Sequence, residues 1–176
     1  MRQSWDEYFL DIALKVATRS TCLRRKVGSV AVNINHRIIG TGYNGAPAGL
    51  SHCTKETCVR TKNNIPSGEL PHICKAIHSE ANIVLQLGDG LQNSTLYCTT
   101  KPCINCLKLL MGAQVRRIVW IEDYNDAYSD QLMLEYGKIV EHPGYKSLIR
   151  KELEDGEILL LQKLSDHSPN DIYHRL

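Results

Sequence analysis

Two short motifs put the strongest constraint on how this chain folds, because their side chains have to meet at one point. The motifs are His78-Ser79-Glu80 and Pro102-Cys103-Ile104-Asn105-Cys106. Cys103 and Cys106 are three residues apart, so both thiolates can reach one metal ion from the first turn of a helix. The partial positive charge at a helix start favours the thiolate over the thiol. With His78 at the start of the preceding helix, these residues match the three ligands of a catalytic zinc, whose fourth position is open to water.

Glu80 is the acidic residue that the first motif adds to this predicted metal centre. Zinc lowers the pKa of its water toward 7 and so provides a hydroxide nucleophile at neutral pH. Glu80 lies two residues beyond His78 and is predicted to move protons rather than to bind the metal. A C-x-x-C pair alone is also typical of a redox pair or of half a structural zinc site, and H-x-E alone is common. Their joint occurrence, with Pro102 before the pair, is the signature of zinc-dependent nucleobase deaminases.

The overall composition favours a cytosolic protein that acts on a small molecule. The 176 residues carry a formal net charge of +2 and no obvious basic stripe, which argues against sequence-independent nucleic-acid binding. Residues 1–20 have charges every few positions, so we expect neither a secretory signal nor a membrane span. The seven cysteines then indicate metal ligation or catalysis. A secreted disulfide scaffold, the alternative, would need an export signal and an even number of cysteines.

The predicted elements run in the order helix, β-hairpin, helix, and then strands that alternate with helices. Residues 5–16 predict a helix capped by Ser4, and a hairpin turns at Asn33–His36. The later strands, which alternate with helices, are expected to be parallel. We therefore predict an α/β fold, a three-layer α/β/α sandwich on a mixed sheet of about five strands. A single domain is predicted over residues 1–164, followed by a polar tail at residues 165–176.

Four further cysteines lie in or near the irregular, Gly- and Pro-rich segment 44–71 and predict a second metal site. They are Cys22, Cys53, Cys58 and Cys74. A closed, four-coordinate zinc would explain how so long a loop stays ordered. The preferred ligand set is Cys22, Cys53, Cys58 and His72, with Cys74 as the main substitute. The alternative is that these cysteines are small buried apolar residues or free thiols.

Four longer stretches resemble the deoxycytidylate deaminase family, including its bacterial and phage members. They span roughly Arg19 to Val119 and read RSTCLRRKVGSVAV, RIIGTGYNGAPAGLSHC, HSEANIVL and TTKPCINCLKLL. The resemblance implies a cytidine deaminase-like fold and hydrolysis of dCMP to dUMP and ammonia, which supplies dUMP for thymidylate synthesis. It also implies a hexamer in the cytoplasm (the host cytoplasm for a phage enzyme), activated by dCTP and inhibited by dTTP. A magnesium ion accompanies the effector triphosphate.

The same resemblance assigns the metal ligands and the proton carrier to positions in this chain. It implies a catalytic zinc on His78, Cys103 and Cys106, a proton shuttle at Glu80, and a structural zinc that uses Cys22 and Cys53. Ser79 stands where the family usually has alanine, and we expect this small change to leave the zinc ligands undisturbed.

Contacts with nucleotides are implied at three further places. Asn44 and Gly45, in the Gly42-Tyr43-Asn44-Gly45 motif, lie where the family's loop meets the substrate sugar and couples to the effector site. The alternative is a plain Gly/Asn turn. Arg24 is predicted to contact effector phosphates, against the alternative of a solvated basic cluster. Tyr124 is predicted to lie over the substrate ring or phosphate. The stretch QLGDG, residues 86–90, has no arginine, although a phage relative uses one there in switching.

Two other functions compete with dCMP deamination. The first is another deaminase of the superfamily, acting on tRNA adenosine, free cytidine or single-stranded DNA. Enzymes that edit nucleic acid need a basic channel and stacking aromatic residues, and the near-neutral charge and single Phe argue against one here. The second is a non-catalytic zinc module. A purely structural zinc site gains nothing from a carboxylate such as Glu80 beside the water position.

Overall fold

The computed structural model describes residues 2–150, which form one mixed six-stranded β-sheet with helices on both faces. The helices are α1 (Trp5–Ala17), α2 (Val59–Lys62), α3 (Ser79–Leu87), α4 (Ile104–Gly112) and α5 (Ala127–Tyr136). The strands are β1 (Gly28–Val32), β2 (Ile38–Tyr43), β3 (Thr95–Thr100), β4 (Arg117–Glu122), β5 (Gly137–His142) and β6 (Tyr145–Arg150). The predicted tail at residues 165–176 and the predicted domain end at residue 164 lie outside the described part of the chain.

The strand order is β2-β1-β3-β4-β6-β5, and β3 and β4 are its parallel pair. The predicted fold class is confirmed, but the sheet has six strands rather than about five. The later strands that were predicted, β3, β4 and β5, run in the same direction as expected, but β5 is separated from β4 by an unpredicted strand, β6. The chain reverses at Pro143 and Gly144, where Gly144 has a φ of +83° that suits a residue without Cβ. The returning strand β6 therefore lies antiparallel between β4 and β5.

The two faces of the sheet bury two separate apolar clusters, as the alternation of strand side chains requires. One face packs against α1 through Val30, Val32, Tyr97 and Val119. The opposite face packs against α3, α4 and α5 through Ala31, Leu96, Ile118, Trp120 and Leu148. Helices on both sides of one sheet make the three predicted layers.

Helix α1 is anchored to the sheet by a partly buried ion pair. Its N-terminus has the predicted Ser4 cap, which forms a capping box with Glu7. Asp6, in the first turn, accepts two hydrogen bonds from Arg117 of β4, at 2.8 and 2.9 Å. The hydroxyls of Tyr97 (2.8 Å) and Tyr145 (3.0 Å) also donate to this carboxylate. One carboxylate thus joins α1 to β3, β4 and β6.

The long segment between β2 and α3 has little regular structure. It contains the four-residue helix α2 and a single 3₁₀ turn over Pro71–Ile73. Helix α3 begins at Ser79, and His78 is its N-cap, at the helix start as predicted. Within residues 2–150 no helix is both long enough and apolar enough to cross a membrane.

Candidate active site

The two sequence motifs meet where the starts of α3 and α4 lie at the same edge of the sheet. Cys103 lies three residues after the end of β3 and is the N-cap of α4. His78 is held beside the end of β2 by a two-bond bridge between Gly45 and Ile77, with N···O distances of 2.9 and 3.1 Å. Both metal-binding segments are therefore positioned by the sheet.

His78, Cys103 and Cys106 form a compact group of metal-binding atoms. The Nδ1 atom of His78 lies 3.4 Å from the Sγ atom of each cysteine. A tetrahedral zinc with ordinary Zn–S and Zn–N bonds places such atoms about 3.6 Å apart. Among residues 2–150, this is the one set of three His, Cys, Asp or Glu ligand atoms that all lie within 4.8 Å of one another. The geometry and the donor types therefore fit zinc.

The electrostatics of the group favour a thiolate. Hydrogen bonds to Cys106 and His78 outweigh burial and lower the pKa of Cys103 to about 4. Hydrogen bonding to Cys103, with Glu80 adding to it, raises the pKa of His78. Without metal, the remaining thiol proton is held on Cys106, because hydrogen bonding to Cys103 and burial raise its pKa. A bound dication removes this last proton, because thiolate is the metal-binding form.

Glu80 lies in the first turn of α3 and is 4% exposed. Burial raises the pKa of this carboxyl, although His78 and Ser79 oppose the shift. Ser79 Oγ donates to Glu80 Oε2 at 2.7 Å, and the Oγ of Ser29 lies 2.8 Å from Ser79 Oγ. Since a hydroxyl carries one proton, Ser29 is the donor in that second bond. The residue that stands in place of alanine thus holds the carboxylate of Glu80 through a hydrogen bond, a role that the sequence did not predict.

Two of the three metal-binding residues, His78 and Cys103, line a cavity of about 330 Å³ together with Glu80. Among the described residues, its wall has one acidic side chain, Glu80, and four cationic ones. The cations are Arg24, Arg25, Arg60 and Lys101. An excess of positive charge around a small concave site favours an anionic ligand. Of these four, the sequence predicted a function for Arg24 alone. The sequence could not identify the other three, because an Arg or Lys that lines a cavity and one on a solvated surface have no distinguishing sequence pattern.

Asn44 is buried, and its side chain is used mainly inside the protein. Its Oδ1 atom accepts hydrogen bonds from Ser20 Oγ (2.6 Å) and from the Val27 amide (2.8 Å). Its Nδ2 atom donates to the Arg25 carbonyl at 2.9 Å. Asn44 therefore fixes the loop that contains Arg24 and Arg25, and one amide hydrogen is left for the cavity.

The other predicted nucleotide contacts also lie at the cavity. Gly45 packs closely on Thr21, since a Cβ atom there would lie 2.6 Å from Thr21 Oγ1. Tyr124 lines the wall, and the guanidinium carbon of Arg25 is 5.5 Å from its ring centroid. Burial raises the pKa of Tyr124. Arg24 lines the same wall but is exposed.

Four cysteines outside the first metal group border the same cavity. They are Cys22, Cys53, Cys58 and Cys74. Burial raises the pKa of Cys53, and the other three thiols add to this shift while Lys75 opposes it, so the four lie near one another. No three of these sulfur atoms lie within 4.8 Å of one another. His72, which was preferred to Cys74 as a ligand, is exposed and is not part of the cavity wall. The structure therefore groups Cys74 with the three other predicted ligands.

Comparison with known proteins gives a consistent result. The family described as the cytidine and deoxycytidylate deaminase zinc-binding region matches residues 3–122. A deoxycytidylate deaminase of Mycobacterium phage D29 is 43% identical over 129 residues, covering 68% of this chain and 95% of the phage protein. One of Schizosaccharomyces pombe is 36% identical over 139 residues, covering 77% of this chain. The matched regions span only 43% and 39% of the lengths of the fission yeast and budding yeast relatives.

A solved structure shares the fold. The dCMP deaminase of cyanophage S-TIM5, crystallised with dCMP and dUMP, superposes with a TM-score of 0.60 at 25% identity. The match covers 77% of this chain and 93% of the cyanophage chain. The sequence match includes both metal-binding motifs, and the structural match includes the sheet that positions them. The chain therefore belongs to the cytidine and deoxycytidylate deaminase family.

Proposed function

We propose that this protein hydrolyses dCMP to dUMP and ammonia. One observation supports the proposal: a His/Cys/Cys metal group and a buried carboxylate lie at a cavity whose wall contains four cationic side chains and only one acidic one among the described residues. A deaminase needs the first two features, and a substrate with a 5′-phosphate needs the third. The names of the phage and yeast relatives, and the dCMP and dUMP bound to the cyanophage protein, support the same substrate.

The residues of the site divide the work between metal binding and proton transfer. His78, Cys103 and Cys106 would hold a zinc ion, which when bound acidifies a water molecule and orients it for attack. Glu80 takes a proton from this water and delivers it to N3 of the cytosine ring. It then carries the second proton to the departing amino group, so that water and dCMP yield dUMP and ammonia. Burial raises the pKa of Glu80, which suits a group that must both accept and release protons near neutral pH.

We also propose a structural zinc on Cys22, Cys53, Cys58 and Cys74. All four cysteines line one cavity and His72 does not, which supports this set, although the sulfur atoms would have to move closer together to share one ion. The further properties implied by the family resemblance stay proposals as well. They are a cytoplasmic hexamer that supplies dUMP for thymidylate synthesis, activated by dCTP and inhibited by dTTP with magnesium. The hydrogen bonds of Asn44 support such regulation, because they connect the Arg24–Arg25 loop to the strand end beside His78.

Ammonia release from dCMP by zinc-loaded protein tests the proposal. Glu80→Gln should reduce turnover by at least about 1,000-fold, since the proton carrier is lost, while zinc content stays the same. Glu135→Gln, an exposed change of the same chemistry on α5, is the matched control and should be fully active. Full activity of Glu80→Gln would refute the mechanism. Absence of dCMP turnover in the unmodified protein, despite bound zinc, would refute the substrate. The same assay with added dCTP or dTTP tests the regulation.

A further inference from the structure

Arg60 occupies a position in the cavity that neither the metal group nor the proton shuttle uses. It lies in α2, two residues after Cys58, and its side chain reaches the wall that contains His78 and Tyr124. The residue is half-buried. Arg60 is therefore close to the reaction centre although α2 is remote from it in sequence.

The guanidinium of Arg60 has free hydrogen-bonding capacity inside the protein. Its Nη2 atom donates to the Pro66 carbonyl at 2.9 Å, which fixes the side chain in place. Its Nε atom is buried and has no hydrogen-bond partner among the described residues. No carboxylate in residues 2–150 forms an ion pair with it. A buried donor without a partner costs free energy unless a ligand satisfies it.

The three other cations of the cavity are less suited to the same task. Lys101 is paired with Asp130 at 2.6 Å, so its charge is already compensated. Arg25 lies over the ring of Tyr124, and both it and Arg24 are exposed. Arg60 thus combines partial burial, a fixed orientation and an uncompensated charge. With Nη2 donating to Pro66, the guanidinium keeps further N–H donors, and such donors suit the oxygens of a phosphate group.

We propose that Arg60 binds the 5′-phosphate of the nucleotide substrate and so makes the enzyme prefer dCMP to deoxycytidine. This inference rests on the proposed dCMP deamination. The metal group and the proton carrier would serve a nucleoside and a nucleotide equally well. Arg60 would be the residue that distinguishes between them. Charge-assisted hydrogen bonds of this kind contribute enough to change affinity about 10- to 100-fold.

The test compares Arg60→Gln with the unmodified protein on two substrates. With dCMP, kcat/KM should fall about 10- to 100-fold, mainly through a higher KM. With deoxycytidine at high enzyme concentration, kcat/KM should change less than about twofold, because this substrate has no phosphate to lose. Lys62→Gln, on the same short helix but exposed, removes an equal charge and should leave both substrates unaffected. Equal losses on the two substrates, or no loss on dCMP, would overturn the proposal.

Product binding keeps the inference testable when turnover is too slow to measure. Calorimetry should show dUMP binding about 10- to 100-fold more weakly to Arg60→Gln, with deoxyuridine binding unchanged. Unaltered dUMP binding would overturn the role of Arg60. Complete lack of dCMP turnover in the unmodified protein would instead overturn the proposed function. If Arg60→Gln does not fold, Arg60→Lys answers the question, because it keeps the charge but loses the paired donors and should raise the KM for dCMP alone.

Discussion

Replacement of Gly42 by alanine should disturb catalysis from outside the cavity. Gly42 lies on β2, and α3 packs directly on it. A Cβ atom at this position would lie 2.3 Å from the Ser79 carbonyl oxygen and 2.9 Å from Ile83 Cγ1. Ordinary contact begins near 3.4 Å, so the start of α3 has to move by about 1 Å. Because His78 and Glu80 flank Ser79, this shift displaces a zinc ligand and the proton carrier together.

A misplacement of about 1 Å at a reacting group can cost about 100-fold in rate, and we expect a loss of this size in kcat/KM for dCMP. Overpacking of this kind also costs about 1–3 kcal/mol of unfolding free energy. The assays are ammonia release, zinc content and thermal unfolding. Gly40→Ala is the matched control, because its Cβ would meet Leu87 Cδ1, the flexible end of a side chain at the far end of α3, at 2.8 Å. If Gly42→Ala kept the activity of Gly40→Ala, the rigid placement of α3 by β2 would be refuted.

Three further changes test other parts of the structure. Burial alone would raise the pKa of Asp6, but hydrogen bonds and charge from Arg117 hold this pKa below 3.8. The ionised carboxylate therefore stabilises the folded protein above pH 3.8, and this contribution is lost as the pH falls through the lowered pKa. Asp6→Asn should therefore lose about 3 kcal/mol of unfolding free energy at pH 7 in urea titrations and much less near pH 2; an equal loss at both would contradict this. In zinc-free protein, iodoacetamide should alkylate Cys103 at pH 6, because its pKa is about 4 and the thiolate is the reactive form. Bound zinc should protect Cys103 from this reaction. Labelling of Cys103 that begins only above pH 8 would show that it is not a thiolate at pH 6. Metal analysis of Cys74→Ser should show a loss of about one zinc per chain, with no loss in His72→Gln; the reverse result would restore the histidine as a ligand.

The parts of the site that the sequence predicted are those that depend on local spacing. Cys103 and Cys106 share one helical turn, and a ligand at each helix start is a short-range pattern. The sixth strand, β6, was missed because its two central buried residues are Ser147 and Leu148, one polar and one apolar, so no alternation of apolar side chains marks it. The sequence could not distinguish Arg60 from other cationic residues of the irregular segment between β2 and α3. Its position at the cavity depends on how this segment, which has no periodicity, packs against the rest of the protein. Non-local placement of this kind is set by tertiary packing rather than by neighbouring residues.

The hydrogen bonds of Asn44 limit which sequences can occupy this fold. Three groups of the segment from Ser20 to Val27 depend on one side-chain amide that both accepts and donates. Aspartate has the same size but cannot donate to the Arg25 carbonyl, and glutamine is one methylene too long to reach the same partners. Even the two side chains that most resemble asparagine therefore fail to keep all three hydrogen bonds at position 44. A saturation library at position 44 should yield one functional residue, whereas exposed Arg24 in the neighbouring loop should tolerate many.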